Sequence, residues 1–333
     1  MFREVPRKKL AYLAFGMKGS VVDRIQGAVN DALPRAERSL LAVSGGVDSM
    51  VLLHAATAVR DAPKVVVATF DHASGPHSAA AVDLVQRVCM AGGIPVVVGR
   101  GAPRTDPSEA DWRSDRLAFL RAAAFEHRAV ICTAHTRDDQ VETVLFRELR
   151  GTGPRGLGGL AVDSDIRRPL LAFTRADVTD YARAAGVEWV DDPSNADRSF
   201  TRNRLRHDFL PAMRRAQPGV EDDLVALGER AAQWRADVDA QIDSRVRFEL
   251  DRERETLEVA GESLRGFSDE ALGIIWPALL GRLGVAADWR GTRRLVAFTT
   301  RGRTGQRIQL SGGWTVFRRR EGFEVRRGGE TQR

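Results

Sequence analysis

Leu41-Ala42-Val43-Ser44-Gly45-Gly46-Val47-Asp48-Ser49 runs a short apolar strand into two glycines and then into a helix. Glycine reaches backbone conformations closed to other residues and lets a ligand approach the main chain closely. Successive N–H groups at such a turn, backed by a helix N-terminus, form a seat for phosphate oxygens. The hydroxyls of Ser44 and Ser49 are candidate additional donors, and Val47 belongs to the same loop. Asp48 has no business beside a phosphate as a bare anion. Its place is explained if it holds Mg²⁺ bridging the phosphates, or if it orients a neighbouring donor. No Gly-Lys-Ser/Thr follows, so this is not the Walker loop.

Working outward, apolar runs alternate with helical patterns over the first 170 residues. Strands are expected at 40–43, 64–70, 95–98, 129–134 and 166–171. Helices are expected at 49–60, from a Ser78 cap through Met90, from Ser108 through Phe125, at 138–149, and from Thr174 to Gly186. Thr174 with Asp177, and Ser108 with Asp111, have capping-box spacing. Continuous apolar strands between helices argue for a doubly wound α/β fold, a parallel sheet covered on both faces. Such sheets bind ligands at the carboxyl ends of their strands.

Beyond residue 216 the pattern changes. Leu224, Leu227, Ala231, Trp234, Val238, Ile242 and Val246 recur at helical spacing, and a second helix is expected from Ser268 to Leu283, with Pro277 kinking it. The tail then alternates through Ile308, Leu310, Trp314, Val316, Phe323 and Val325, which predicts a small half-buried sheet. The second domain is thus smaller, mainly helical, and ends in a sheet. Gln217-Pro218-Gly219 marks the expected boundary.

The 333 residues are 43% hydrophobic and 29% charged, with a net charge of +6. No run of about 18 apolar residues occurs, so no membrane partner or spanning helix is expected. Cys89 and Cys132 lack any Cys-x-x-Cys partner, which argues against most zinc, redox and iron–sulfur readings and for a cytoplasmic protein with reduced thiols. Residues 198–215 carry six arginines against one acidic residue, and 290–333 carry twelve against three glutamates. Clustering of this kind is the electrostatic footprint of a nucleic-acid partner.

Further candidates lie in His135-Thr-Arg-Asp138-Asp139-Gln140-Val-Glu142-Thr143. Asp139 and Glu142 fall three apart, on one face of a helix's first turn. That arrangement suits Mg²⁺ or a substrate ammonium, or simply offsets the helix dipole. His135, at a strand end, either lines a pocket or satisfies a backbone group. In Phe200-Thr-Arg202-Asn203-Arg204-Leu205-Arg206, two arginines four apart share a face if the segment is helical, and paired guanidiniums suit phosphate.

Ser-Gly-Gly-Val-Asp-Ser resembles the loop of the PP-loop ATP pyrophosphatases. Within that family, four further segments resemble the lysidine synthases. These are the His135–Thr143 segment, Arg168-Pro169-Leu170-Leu171, Asp192-Pro193-Ser194-Asn195, and Arg202-Asn203-x-x-Arg206, all in the family's order. Glu109-Ala-Asp-Trp112-Arg113-Ser-Asp-Arg116-Leu117 is similar to the family's Glu-x-x-Ala-Arg-x-x-Arg-Tyr helix, departing at Trp112 and Leu117. Asp71-His72 matches an Asn/Asp-His pair, whereas Gly75 stands where an arginine is common.

The resemblance implies ATP and Mg²⁺ as cofactors, with ATP held by residues 44–49, Asp71, His72 and His135. It implies adenylation of the wobble cytidine of an isoleucine tRNA with a CAU anticodon, followed by attack of L-lysine. Asp48, Arg113, Asp139 and Glu142 would be catalytic, with Asp48 and Asp139 as metal ligands. Arg202, Asn203, Arg206 and the C-terminal arginines would bind tRNA. The domains would be an extension (1–20), a catalytic domain (21–216) and a tRNA-binding domain (217–333), in a possible homodimer. The alternatives are a 2-thiolating PP-loop enzyme, a small-molecule amidotransferase such as a GMP synthetase, and an RNA-binding module on an inactive nucleotide fold.

Overall fold

The computed structural model describes residues 19–58, 64–72, 75–101, 109–191, 197–199 and 201–328. The expected extension up to residue 18, the Ser108 cap and the Asp192–Asn195 segment lie outside the described residues.

Contacts divide the chain into two units, between Gln233 and Trp234. In chain order the first holds α1 (Val21–Ala32), β1 (Arg38–Ala42), α2 (Val47–Thr57), β2 (Val65–Asp71), α3 (Pro76–Ala91) and β3 (Val96–Arg100). It continues with α4 (Glu109–His127), β4 (Ala129–Cys132), α5 (Arg137–Leu149), α6 (Pro154–Leu157), β5 (Ile166–Arg167), α7 (Arg175–Ala185), α8 (Thr201–Arg204) and α9 (Leu210–Ala216). The division falls inside α10 (Val220–Arg245). Residues up to 233 stay with the first unit, beyond the boundary expected at 217, because Val220, Leu224 and Val225 share a core with Val141, Val144 and Leu145 of α5.

The first unit's sheet has the order β3-β2-β1-β4-β5, with every pairing parallel. Side chains alternate across a strand, and that alternation feeds two cores. Leu41, Val67 and Cys132 join one core with Ile25, Leu52, Val85 and Tyr181 of the surrounding helices. Leu40, Val66, Ala68 and Ile131 join the other, beneath Leu120 and Ala123 of α4. The chain leaves β1 toward β2 and β3, then returns to β4 on the opposite side of β1. This reversal opens a crevice at the carboxyl ends of β1 and β4, where such folds take their ligands.

Two local expectations need correction. Ser78 does not cap α3. The helix starts at Pro76, whose fixed φ suits a first helical position, and the Ser78 hydroxyl instead donates to Asp71 Oδ1 at 2.6 Å. The strand expected at 166–171 stops at Arg167. Pro169 has no N–H for a ladder, and Leu170 leaves the sheet for the core.

The second unit contains β6 (Phe248–Asp251), β7 (Thr256–Ala260), α11 (Asp269–Arg282), α12 (Trp289–Arg301), β8 (Arg307–Gln309), β9 (Trp314–Arg318) and β10 (Gly322–Arg327). Its antiparallel sheet has the order β6-β7-β10-β9-β8. Trp276 is fully buried, sits edge-on to Phe323 at 5.3 Å and donates its Nε1–H to Thr299 Oγ1 at 2.7 Å. The sequence reading missed α12 and the β6–β7 hairpin. The run Leu295-Val296-Ala297-Phe298-Thr299-Thr300 has strand-like composition, yet it buries Leu295, Val296 and Phe298 along one helix face. The hairpin turn carries Arg252, Glu253, Arg254 and Glu255 instead of the usual Asn-Gly signal. Among the described residues, no helix is long and apolar enough to cross a membrane.

Candidate active site

The Ser44–Ser49 loop leaves β1 at the crevice and opens α2. Gly45 has φ +84°, and a Cβ there would lie 2.8 Å from Ala81 Cβ and 2.9 Å from the Ala81 carbonyl oxygen of α3. Its own carbonyl accepts from Val190 N at 3.0 Å. The Ser49 hydroxyl donates to Gly46 O at 2.9 Å and accepts from Ser44 N at 3.1 Å, so it staples the turn from inside. Ser44 is exposed. Gly46 is the N-cap of α2 and brings no side-chain cap. The first-turn N–H groups of α2 therefore face the crevice as donors for an anion.

This geometry separates the two glycines. Gly45→Ala is expected to cost about 2–3 kcal/mol, from a strained positive φ and overlap with α3. Gly46→Ala adds a Cβ whose nearest neighbour is Ser44 Oγ at 3.7 Å, and it should cost under about 1 kcal/mol, the difference between glycine and alanine as a cap. Thermal unfolding of the pair checks this, and equal losses would contradict it.

Facing the loop is a charged cluster built by two helix starts. At α5, Asp139 Oδ2 accepts from Thr136 N at 2.8 Å in a capping box, which turns Oδ1 toward the crevice. At α7, Thr174 and Asp177 form the expected capping box, and Arg175 follows the cap. The backbone N–H of Arg175 donates to Asp138 Oδ2 at 2.8 Å. Its guanidinium lies 3.6 Å from Asp48 Oδ2, 3.2 Å from Asp139 Oδ1 and 3.6 Å from Glu142 Oε1. Glu142 is 1% exposed. Arg206 grips it with two parallel bonds, Nε to Oε1 at 2.7 Å and Nη2 to Oε2 at 3.0 Å. Arg202 Nε lies 3.7 Å from Oε2, and its Nη2 donates to Thr143 Oγ1 at 3.3 Å. A π-helical turn, Leu205–Phe209, carries Arg206 between α8 and α9.

The electrostatics split the carboxylates. Burial pushes Asp48 up to about 6, with Arg175 pulling it down and Asp139 raising it further. Asp48 Oδ1 is buried and has no hydrogen-bond partner among the described residues. Burial also works to raise Asp139, but Arg175, the Thr136 amide and the charges of His135 and Arg202 outweigh it and hold it below the ordinary carboxylate value. Burial, aided by the charges of Arg168, Arg116 and Arg202 against that of Asp139, pushes His135 down to about 4. Its Nδ1 is 2.8 Å from Thr133 Oγ1. His135 is therefore a neutral, hydrogen-bonding ring at neutral pH.

The structure thus brings Asp48, Asp139, Glu142, Arg202 and Arg206 together. Asp71 is engaged by Ser78 and lies 3.5 Å from Arg100 Nε. The His72 ring sits 5.0 Å from Phe70 and 6.0 Å from Trp112. Arg113 is exposed on α4 and pairs with no carboxylate among the described residues. Asn203 donates to Asp197 O at 2.7 Å. Sequence reasoning missed Arg175, which carried the single signal of following a capping threonine. It also passed over Gln140, fully buried, whose amide donates to Gly158 O at 3.1 Å and accepts from Leu160 N at 2.7 Å. That amide fixes the segment after α5.

Residues 17–213 match the family profile of the PP-loop domain. The chain is 39% identical over 205 residues to the tRNA(Ile)-lysidine synthase of Azoarcus sp., covering 58% of this chain and 45% of that protein. It is 38% identical to the enzyme of that name from Pseudomonas fluorescens, covering 61% and 48%, and 35% identical to that from Parasynechococcus marenigrum, covering 61% and 64%. The chain spans about half the length of the curated relatives it matches. Among solved structures it is similar in fold to a U34-tRNA thiolase from Methanococcus maripaludis, with a TM-score of 0.52 and 16% identity over 64% of this chain and 80% of that one.

Proposed function

Since this chain belongs to the PP-loop family, we propose that it ligates L-lysine to C2 of the wobble cytidine of an isoleucine tRNA with a CAU anticodon. ATP is the co-substrate, and AMP and pyrophosphate are released. The observation that carries the reading is the loop itself: an uncapped α2 N-terminus beside a buried Asp48 oxygen that lacks a partner among the described residues. Relatives named tRNA(Ile)-lysidine synthase support the choice of substrates.

In this reading the α2 amides and the exposed Ser44 hydroxyl receive the β- and γ-phosphates. Cytidine O2 attacks the α-phosphorus, and the P–O bond to pyrophosphate breaks. The lysine amine then attacks C2, and AMP leaves with the former O2. The Asp48 and Asp139 carboxylates fit Mg²⁺, since magnesium sites commonly use one or two carboxylates and complete themselves with phosphate and water, and Asp48 Oδ2 is the oxygen that Arg175 approaches at 3.6 Å. When bound, the ion neutralises charge on the phosphates. Asp139, ionised at neutral pH, suits either the metal or the lysine ammonium. His135 is too weak a base to deprotonate lysine and serves as a neutral lining group. Glu142 and Arg206 set the cluster's shape through their paired bonds, and Arg202 and Arg206 present their remaining N–H groups to the substrate. The arginines of the second unit supply sequence-independent contacts to the RNA backbone.

A thiolating role has less support. Burial pushes the Cys89 and Cys132 thiols up to about 11 and about 12, so neither is a ready nucleophile. The decisive test combines protein, ATP, Mg²⁺, labelled L-lysine and the CAU-anticodon tRNA. Label should enter the tRNA with one AMP and one pyrophosphate per lysine. ADP release, label transfer without tRNA, or no transfer at all would overturn the assignment.

A further inference from the structure

Arg175 approaches three acids of the crevice, one through each nitrogen of its guanidinium. Nε faces Asp48, Nη2 faces Asp139 and Nη1 faces Glu142. The α5 acids have a second cation, because Arg206 binds Glu142 and lies 3.9 Å from Asp139. Asp48 is in a different position. Among the described residues its ion pair is with Arg175, and its other oxygen is buried without a partner. Arg175 is therefore the charge that ties the loop carboxylate to the α5 carboxylates. Without a cation between them these buried acids repel one another, and the repulsion is strong where water is scarce. The Arg175 side chain keeps 27% of its surface exposed, so it has an open direction in which to withdraw.

We propose that Arg175 is a positioning residue that stands in for a cation between Asp48 and the α5 acids while the loop is empty, and yields Asp48 to Mg²⁺ when the metal arrives with ATP. The inference rests on the reading of the loop as the seat of Mg–ATP. Its consequence is selective. A tethered guanidinium competes with free Mg²⁺ for Asp48, so the metal gains entry when triphosphate oxygens add their own ligands. Free metal then does not settle in the crevice ahead of the nucleotide. Arg175 also holds the loop in register with α5, because its backbone N–H is fixed to Asp138 at the same helix start.

The test is thermal unfolding with Mg²⁺ titrated alone, at constant ionic strength, on wild type, Arg175→Met, Arg175→Lys and the double variant Arg175→Met/Asp48→Asn. Wild type should show no Mg²⁺-dependent shift. Arg175→Met should start with a lower Tm and regain it as Mg²⁺ binds, with a midpoint at least about tenfold below the highest Mg²⁺ concentration at which wild type stays flat. The double variant should lose that response. Should Arg175→Met fail to fold, Arg175→Lys carries the test, since one ammonium cannot span three acids and a weaker Mg²⁺ response is expected. No Mg²⁺ response in either single variant, or an equal response in wild type, overturns the proposal. A residue with a merely structural role would lower Tm without creating a metal dependence. Calorimetry with Mg–ATP separates the two readings. If wild type binds no Mg–ATP, the nucleotide seat is wrong, whereas the titration with metal alone judges Arg175.

Discussion

Glu142→Ala is expected to destabilise the first unit by about 3 kcal/mol or more, the usual cost of removing one partner of a buried ion pair. For a unit of this size that is a fall in Tm of roughly 6–12 °C. The size of the effect comes from what is left behind. Glu142 is 1% exposed and faces Arg206, Arg175 and Arg202. Without its carboxylate, three guanidiniums that are a quarter to a third exposed converge on a cavity with Asp139 as their nearest anion. Glu142→Gln keeps the shape and one acceptor oxygen but places an amide N–H against an arginine, so it should recover only part of the loss. Chemical denaturation of both variants checks the order. Equal stability of Glu142→Ala and wild type would show that the arginines find other partners and that the cluster is not held by this residue.

Asp48→Asn should separate stability from activity in opposite directions. Asp48 is raised from 3.8 to about 6 in the folded protein, chiefly by burial. The folded state then holds more protons than the unfolded one between those values. Stability contributed by the neutral form is present at low pH and lost as pH rises through about 6. The penalty for carrying the ionised group above that pH is at most about 3 kcal/mol. The asparagine variant, free of that penalty, should be more stable than wild type at pH 8 and equal to it near pH 4, in the absence of metal and nucleotide. In the lysine-transfer assay its activity should fall by a factor on the order of 10³, because Asn supplies no negative charge to hold the Mg²⁺ that would neutralise the phosphates. Unfolding curves at the two pH values and the transfer assay read both halves. A variant less stable than wild type at pH 8 would mean that Arg175 compensates Asp48 fully. A variant that keeps its activity would remove Asp48 from the chemistry.

The sequence by itself determined whatever is local. The complete Ser-Gly-Gly-Val-Asp-Ser string after an apolar strand, more than its two glycines alone, points to a positive φ and an uncapped helix start at one place, and the structure has both. Thr174 with Asp177 announces a helix start, since both groups of a capping box lie within one turn. The strand–helix alternation determined the parallel sheet, because strands buried on both faces must be apolar throughout. The second unit was harder to read: its α12 carries a strand-like composition, and its hairpin turns on charged residues.

Tertiary structure alone decided which charges meet. Arg175 is an ordinary arginine among many, and Arg202 and Arg206 stand out in the sequence only as a pair suited to phosphate, yet each is defined by the acid it reaches across the fold. Asp71 and Glu142 look equally available in the sequence, yet one is held by Ser78 and the other is sealed under three guanidiniums. Proximity of this kind follows from how helices dock on the sheet. Buried charge must then be neutralised at whatever distance along the chain the packing supplies a partner.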